Sequence, residues 1–289
     1  MPYYGGHGRL SMRWIIALVM AAVGLISYYW NTEVNPVTGE KQRVALTTDQ
    51  EIAIGLQSAP EMAAQMGGEV SPKHPQAQLI RSIGERIWKS SDAQRSPYTF
   101  DFHLLADPKT VNAFALPGGQ IFITVGLLNR LENEAQVAGV LGHEIGHVIH
   151  RHSAEHMAKG RLGQLLAGAA GVAASDEYGR GRGAMIAAQV VNQMLQLRYS
   201  RSDESEADEH GLLYMTQAGY DPSAMLGVMK VLAEASRGNR QPEFLASHPH
   251  PDARYEKIKE FLAQNYPNGI PAELTQGRPL NPAIETDYR

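Results

Sequence analysis

His143, Glu144 and His147 stand in a stretch that is otherwise apolar nearly all round, with Val137, Val140, Leu141, Ile145, Val148 and Ile149 on the same predicted helix. A helix apolar on every side is a buried one. Three ionisable side chains buried in it cost roughly 1–3 kcal/mol each if they are left unsatisfied. The fold must therefore bring partners to them. The pattern H-E-x-x-H suggests which. Residues i and i+4 differ by about 40° around a helix, so both imidazoles leave one face and can share a metal ion. Glu144 lies beside that face, within reach of a water there. In a chain of this composition the pattern arises by chance in only about 3% of cases.

The rest of the composition narrows the ligand set. The 289 residues include 11 histidines and no cysteine, which excludes thiol catalysis, zinc ribbons and disulfide scaffolds. Any metal must be held by His and carboxylates, and a site of that kind predicts one Zn2+ per chain. The net charge is −4 without basic blocks, so nucleic acid is not an expected partner. A third ligand is needed. The H-E-x-x-H-x-x-G-x-x-H arrangement is excluded, because His150 and Ser153 stand where Gly and His would be required. His150 is expected at a pocket rim or on the surface, and His152 and His156 on other faces.

The best third ligand lies in Arg201-Ser202-Asp203-Glu204-Ser205-Glu206-Ala207-Asp208. Glu204 and Glu206 are about 200° apart on a helix, so only one faces inward. Glu204 shares its stripe with Ala207, Asp208, Gly211, Met215 and Ala218, whereas Glu206 shares one with His210, Leu213 and Gln217. Glu204 is therefore the predicted ligand. Asp208, one turn along, is placed to accept the second N–H of a ligating histidine.

The N-terminus adds a membrane. Trp14 to Trp30 is uncharged and would span roughly 26 Å as a helix, bounded by Trp14 at one end and Tyr28, Tyr29 and Trp30 at the other. Arg9 and Arg13 precede it without acidic residues, which puts the N-terminus in the cytoplasm. A cleaved signal peptide is the alternative, but no small-x-small site follows. The expected layout is a cytoplasmic N-terminus (1–13), a transmembrane signal-anchor (14–30), a linker (31–44), a zinc metallopeptidase domain (45–265) and a C-terminal tail (266–289).

Within the domain, Thr48-Asp49-Gln50-Glu51 reads as a capping box opening a helix to about Gln65, and Pro75 to Lys89 as a second helix. Thr99 to Leu104 alternates like a strand, and Val111–Leu116 and Ile121–Val125 flank the turn Pro117-Gly118-Gly119. Long helices are predicted from Asn133 to about His156 and from about Ala184 to Ala218. The glycine-laden stretch from Gly160 to Gly183 is expected to be a mobile flap. Asp221-Pro222 opens a further helix, and Asp252 caps a final one, Ala253–Gln264.

The motifs HEIGH and ESEAD, together with Asn112–Leu128, Ala207–Pro222 and Ser247–Arg254, resemble the gluzincin metallopeptidases of the CAAX-prenyl-protease and HtpX type. In layout they are closest to the periplasmic BepA-like and membrane-anchored members. The resemblance covers roughly residues 45–262. It implies an α+β, predominantly helical zincin-type domain with a small β-sheet whose edge strand, within Asn112, Ala113, Phe114, Ala115 and Leu116, pairs with an extended substrate. It also implies that the glutamate of E-x-x-x-D, here Glu204, ligates zinc beside His143 and His147. One membrane segment rather than several is expected, with no helical repeats after the peptidase domain. The expected activity is zinc-dependent endoproteolysis of misfolded or membrane-associated polypeptides at the bacterial inner membrane, with a periplasmic catalytic domain and Glu144 as general base. The resemblance further brings His248 of Ser247-His248-Pro249 near the metal, with two roles open: an oxyanion donor, or a fourth ligand that shuts the site. In the second case the protein becomes a tethered holdase with latent proteolysis.

Overall fold

The structure is a computed structural model that describes residues 11–44, 46–174, 198–237 and 242–280. It begins with helix α1 (Met12–Trp30), followed by strands β1 (Thr32–Val34) and β2 (Lys41–Arg43). Helices α2 (Thr48–Gln65) and α3 (Pro75–Ser90) come next, then strands β3 (Asp101–Leu105), β4 (Ala113–Leu116) and β5 (Gln120–Thr124) and the short helix α4 (Val125–Leu128). The remaining described helices are α5 (Glu134–Ile149), α6 (His152–Ala174), α7 (Arg201–Gln217), α8 (Ala224–Ser236), α9 (Glu243–Ser247) and α10 (Pro251–Asn265). The fold is predominantly helical with small sheets, as the sequence predicts.

Local chemistry sets most boundaries. Thr47 rather than Thr48 caps α2, accepting from Gln50 N while the Gln50 side chain accepts from Thr47 N. Ser200 and Asp203 form the same reciprocal box at the start of α7. That box makes α7 begin at Arg201; the part of the predicted longer helix before it, 184–197, lies outside the described residues. In the three-stranded sheet the order is β3-β5-β4, with β3 parallel and β4 antiparallel to β5. The strand implied for substrate pairing, β4, is therefore at an edge.

All 16 residues of α5 are buried. It approaches α7 closely because glycine faces backbone: a Cβ on Gly211 would stand 2.9 Å from His143 N, and one on Gly146 would stand 3.0 Å from Ala207 Cα. These two helices carry the H-E-x-x-H histidines and Glu204, so the glycine contact sets the distance between the two halves of the site.

The predicted helix from Asn133 to His156 is in fact two helices. Arg151 adopts a left-handed conformation, φ 54°, and ends α5 before α6 begins. Its guanidinium donates to Glu51 Oε1 through Nε at 2.9 Å and Nη2 at 2.6 Å, and also to Glu33 and Leu46 O. The carbonyls released at the helix end are taken up by Asn35, which donates to Ile149 O at 2.6 Å, and by Gln42, which donates to His150 O. Asn35, Glu33 and Gln42 all come from the β1–β2 hairpin, so residues read as a linker dock onto the end of α5. The other end of α5 is held by the tail, where Arg278 O and Gln276 O accept from Glu134 N and Ala135 N at 3.1 and 3.0 Å.

Helix α1 is, among the described residues, the one helix long and apolar enough to cross a membrane. It packs along α6, with Gly24 against Leu162 and Leu165. The expected flap therefore begins as helix: residues 160–174 belong to α6, and the remainder to Gly183 lies outside the described residues.

Candidate metal centre

Helix α5 presents His143, Glu144 and His147, α7 presents Glu204 and Asp208, and the junction of α9 and α10 presents His248. His143 Nε2 and His147 Nε2 lie 3.0 Å apart, and His147 Nε2 is 3.4 Å from Glu204 Oε1. His248 Nδ1 is 3.0 Å from Glu204 Oε1 and 3.3 Å from His143 Nε2. All four residues are buried and offer donor atoms within 4.8 Å of one another. A tetrahedral ion with bonds of 2.0–2.1 Å has edges of roughly 3.3 Å. The spacing thus fits a four-coordinate site, and the soft-to-borderline nitrogen donors with one carboxylate suit it chemically. Glu206 instead leaves half of its side chain to solvent.

Around these donors, Asp208 Oδ1 lies 2.9 Å from His143 Nδ1. Arg254, which no sequence signal marks for the site, is 3% exposed and grips Asp208 with Nε and Nη2 at 2.7 and 2.6 Å. Its Nη1 lies 2.6 Å from Glu204 Oε2. Burial alone would raise the Glu204 carboxyl, but the Arg254 and His248 charges reverse that and hold it well below the ordinary glutamate range. Burial would likewise raise Asp208, and Arg254 holds it down. For Glu144 burial wins and pushes the carboxyl up. Its Oε1 is buried with no hydrogen-bond partner, 3.7 Å from His248 Nε2.

A cleft of about 580 Å³ runs along β4 and reaches His248, lined on the way by Met62, Asn112, Phe114, Ala115 and Tyr199. Of the five residues named for the substrate strand, Asn112, Phe114, Ala115 and Leu116 line this cleft, while Ala113 is fully buried. Asn112 Oδ1 is buried without a partner. His248 is wedged against the Phe244 ring at 4.3 Å between centroids.

Two histidines expected at the rim or on other faces are buried instead: His150 at 1% and His152 at 2% exposure. His150 is the C-cap of the wholly buried α5, and the break at Arg151 turns His152 inward. His150 Nε2 is 2.9 Å from His210 Nδ1, and His152 Nδ1 is 2.8 Å from His147 Nδ1. Burial, with His210 and His152 adding to it, pushes the His150 imidazole down to about 3. The unfolded chain protonates it near 6.5. The unfolded state thus binds the extra proton first, and stability falls as pH drops from about 6.5 toward 3. At pH 5 the loss from His150 alone is about 2 kcal/mol. Urea denaturation at pH 5, 6 and 7 should show this slope in the wild type and a flatter one in His150→Gln. Equal slopes would refute it.

The profile described as Peptidase family M48 matches residues 74–262. The chain is similar to the mitochondrial metalloendopeptidase OMA1 of Schizosaccharomyces pombe, 31% identical over 255 residues that cover 87% of this chain and 72% of that protein. It is also 30% identical over 251 residues to the beta-barrel assembly-enhancing protease of Yersinia pestis, covering 81% of this chain and 48% of that one. The putative enzyme of the same description from Vibrio cholerae is 30% identical over 264 residues, covering 88% and 53%. The chain spans about half the length of these two bacterial relatives.

Proposed function

The chain belongs to peptidase family M48, a family of metal-dependent peptide hydrolases, and on that premise we propose that it is a zinc endopeptidase tethered to a membrane by α1. The observation that carries the site is the meeting of His143, His147, Glu204 and His248 donor atoms at tetrahedral spacing beneath an unpartnered Glu144 oxygen. In this reading His143, His147 and Glu204 hold the ion. Zinc held there supplies Lewis acidity toward a scissile carbonyl and acidifies water toward a pKa of about 7.

The protein's own groups do the rest. Glu144 accepts the proton of the attacking water and returns it to the leaving amine, a task suited to a carboxyl raised by burial. Asp208 accepts Nδ1–H from His143 and so leaves Nε2 free as a donor. The free edge of β4 takes up an extended chain through backbone hydrogen bonds, with Asn112 Oδ1 as an acceptor waiting in the cleft. Such pairing needs an unfolded stretch of substrate and reads little of its sequence. The substrates we infer are misfolded or membrane-associated polypeptides. Arg9 and Arg13 ahead of α1 keep the N-terminus cytoplasmic, which sets the peptidase domain on the other face of a bacterial inner membrane.

His248 takes the fourth corner in this arrangement, which favours the closing role over that of oxyanion donor. Substrate must then displace it. His248→Ala should raise basal, chelator-sensitive casein degradation by about tenfold or more, the gain from removing a closed state held by about 1.4 kcal/mol, and should weaken zinc binding. A fall of about 10²-fold with unchanged zinc affinity would instead assign His248 to the oxyanion. A tethered holdase with latent proteolysis predicts negligible cleavage by the wild type and release only in His248→Ala.

A further inference from the structure

The contact between His147 and His152 goes beyond the ligand set. In an unbroken helix these residues, five apart, would point about 140° away from each other. The left-handed turn at Arg151 folds His152 back beneath the end of α5, so that the two Nδ1 atoms stand 2.8 Å apart, both rings buried. On its far side His152 Nε2 lies 3.2 Å from Glu206 Oε2.

The hydrogens of this chain can be counted. Only one fits between two Nδ1 atoms at that distance. A neutral imidazole carries one N–H, so His147 can present a lone pair on Nε2 only if its hydrogen is on Nδ1. His147 Nδ1–H then donates to His152 Nδ1. His152, accepting there, keeps its own hydrogen on Nε2 and donates it to the Glu206 carboxylate. We propose that His152 and Glu206 are positioning residues that lock His147 in its metal-binding tautomer, the counterpart for His147 of what Asp208 does for His143. The inference rests on His147 being a ligand.

The same cluster has a rival use. Donor atoms of His150, His152 and Glu206 lie within 4.8 Å of one another, and His150 Nδ1 is buried with no hydrogen-bond partner, so the group could hold a second ion. A cation on His152 Nε2 would move that ring's hydrogen to Nδ1. Two N–H groups would then face each other at 2.8 Å with no acceptor between them. The hydrogen count favours the relay. His150 is accommodated by it as well, since Nδ1–H can point toward Glu206 and Glu40, 3.5 and 3.7 Å away.

The test uses the full-length protein, zinc titrations against a competing chromophoric chelator, and melting of the metal-free form. His152→Phe keeps the ring volume but removes the acceptor, and should weaken zinc binding by about 10–100-fold. His152→Gln offers Oε1 to His147 Nδ1–H and should recover most of that affinity. Glu206→Ala, at a half-exposed position, should fold normally and lose affinity by a smaller factor. The wild type should bind one zinc per chain. The proposal is overturned by unchanged affinity in His152→Phe and Glu206→Ala, by a Gln variant as weak as the Phe variant, or by two zinc ions per wild-type chain. His147→Ala separates the levels: if it retains zinc, the ligand assignment itself is wrong, and if it loses zinc while His152→Phe does not, only the relay fails.

Discussion

Glu144→Gln is expected to lower peptide hydrolysis by about 10²–10⁴-fold while leaving zinc bound. The side chain is 1% exposed and its Oε1 has no hydrogen-bond partner, although histidines and carboxylates crowd around it. A buried acceptor left open in this way is costly unless something arrives to use it. Glutamine keeps the shape and removes the basic oxygen, so a loss of rate cannot be blamed on packing. The effect should fall on kcat with little change in KM, since the proton moves only as the carbonyl is attacked. Casein hydrolysis and zinc content measured on the same preparation decide the matter. Loss of zinc would make Glu144 a ligand, and retained activity would move the base elsewhere. The inactive variant would also hold uncleaved partners, and proteomics of what it traps would name the substrates.

How much of this was legible follows from the range of each signal. The i, i+4 spacing of His143 and His147 and the choice of Glu204 over Glu206 are questions of helical angle, and angle is local. The small sheet was also visible, because alternation and the Pro117-Gly118-Gly119 turn are short-range. The break at Arg151 was not. Nothing in His150-Arg151-His152 forbids a continuing helix, and a non-glycine residue at φ 54° is unfavourable by itself. It persists because Glu51, 100 residues earlier, meets the guanidinium twice, and because hairpin side chains take the freed carbonyls. With the break hidden, His152 reads as pointing to another face, and the relay to Glu206 is invisible. The docking of residues 31–44 and of the tail onto α5 is likewise written in pairs far apart in sequence. Arg254 is not legible as part of the site, although it ends the segment Ser247–Arg254 that carries the resemblance. An arginine reads as surface until its carboxylate partners are known to be buried.

Those partners make Arg254 the second position where a large effect is expected, this time on stability. Arg254→Met should destabilise the metal-free protein by about 3–5 kcal/mol, the cost of removing one side of a buried ion pair. The guanidinium is the nearest compensating charge for both Asp208 and Glu204, at 2.6 Å from each. Methionine fills similar space, so the loss reads charge and hydrogen bonding more than volume. A divalent cation among His143, His147 and Glu204 restores positive charge beside the same carboxylates, so the loaded variant should be penalised less than the empty one. The rise in melting temperature on adding zinc should then be larger for Arg254→Met than for the wild type, although the variant has lost an organising contact. Calorimetry with chelator and with excess zinc gives both numbers. If the variant melts like the wild type in chelator, Arg254 does not neutralise the site. If zinc no longer raises its melting temperature, Arg254 is needed to shape the donor set rather than to balance its charge.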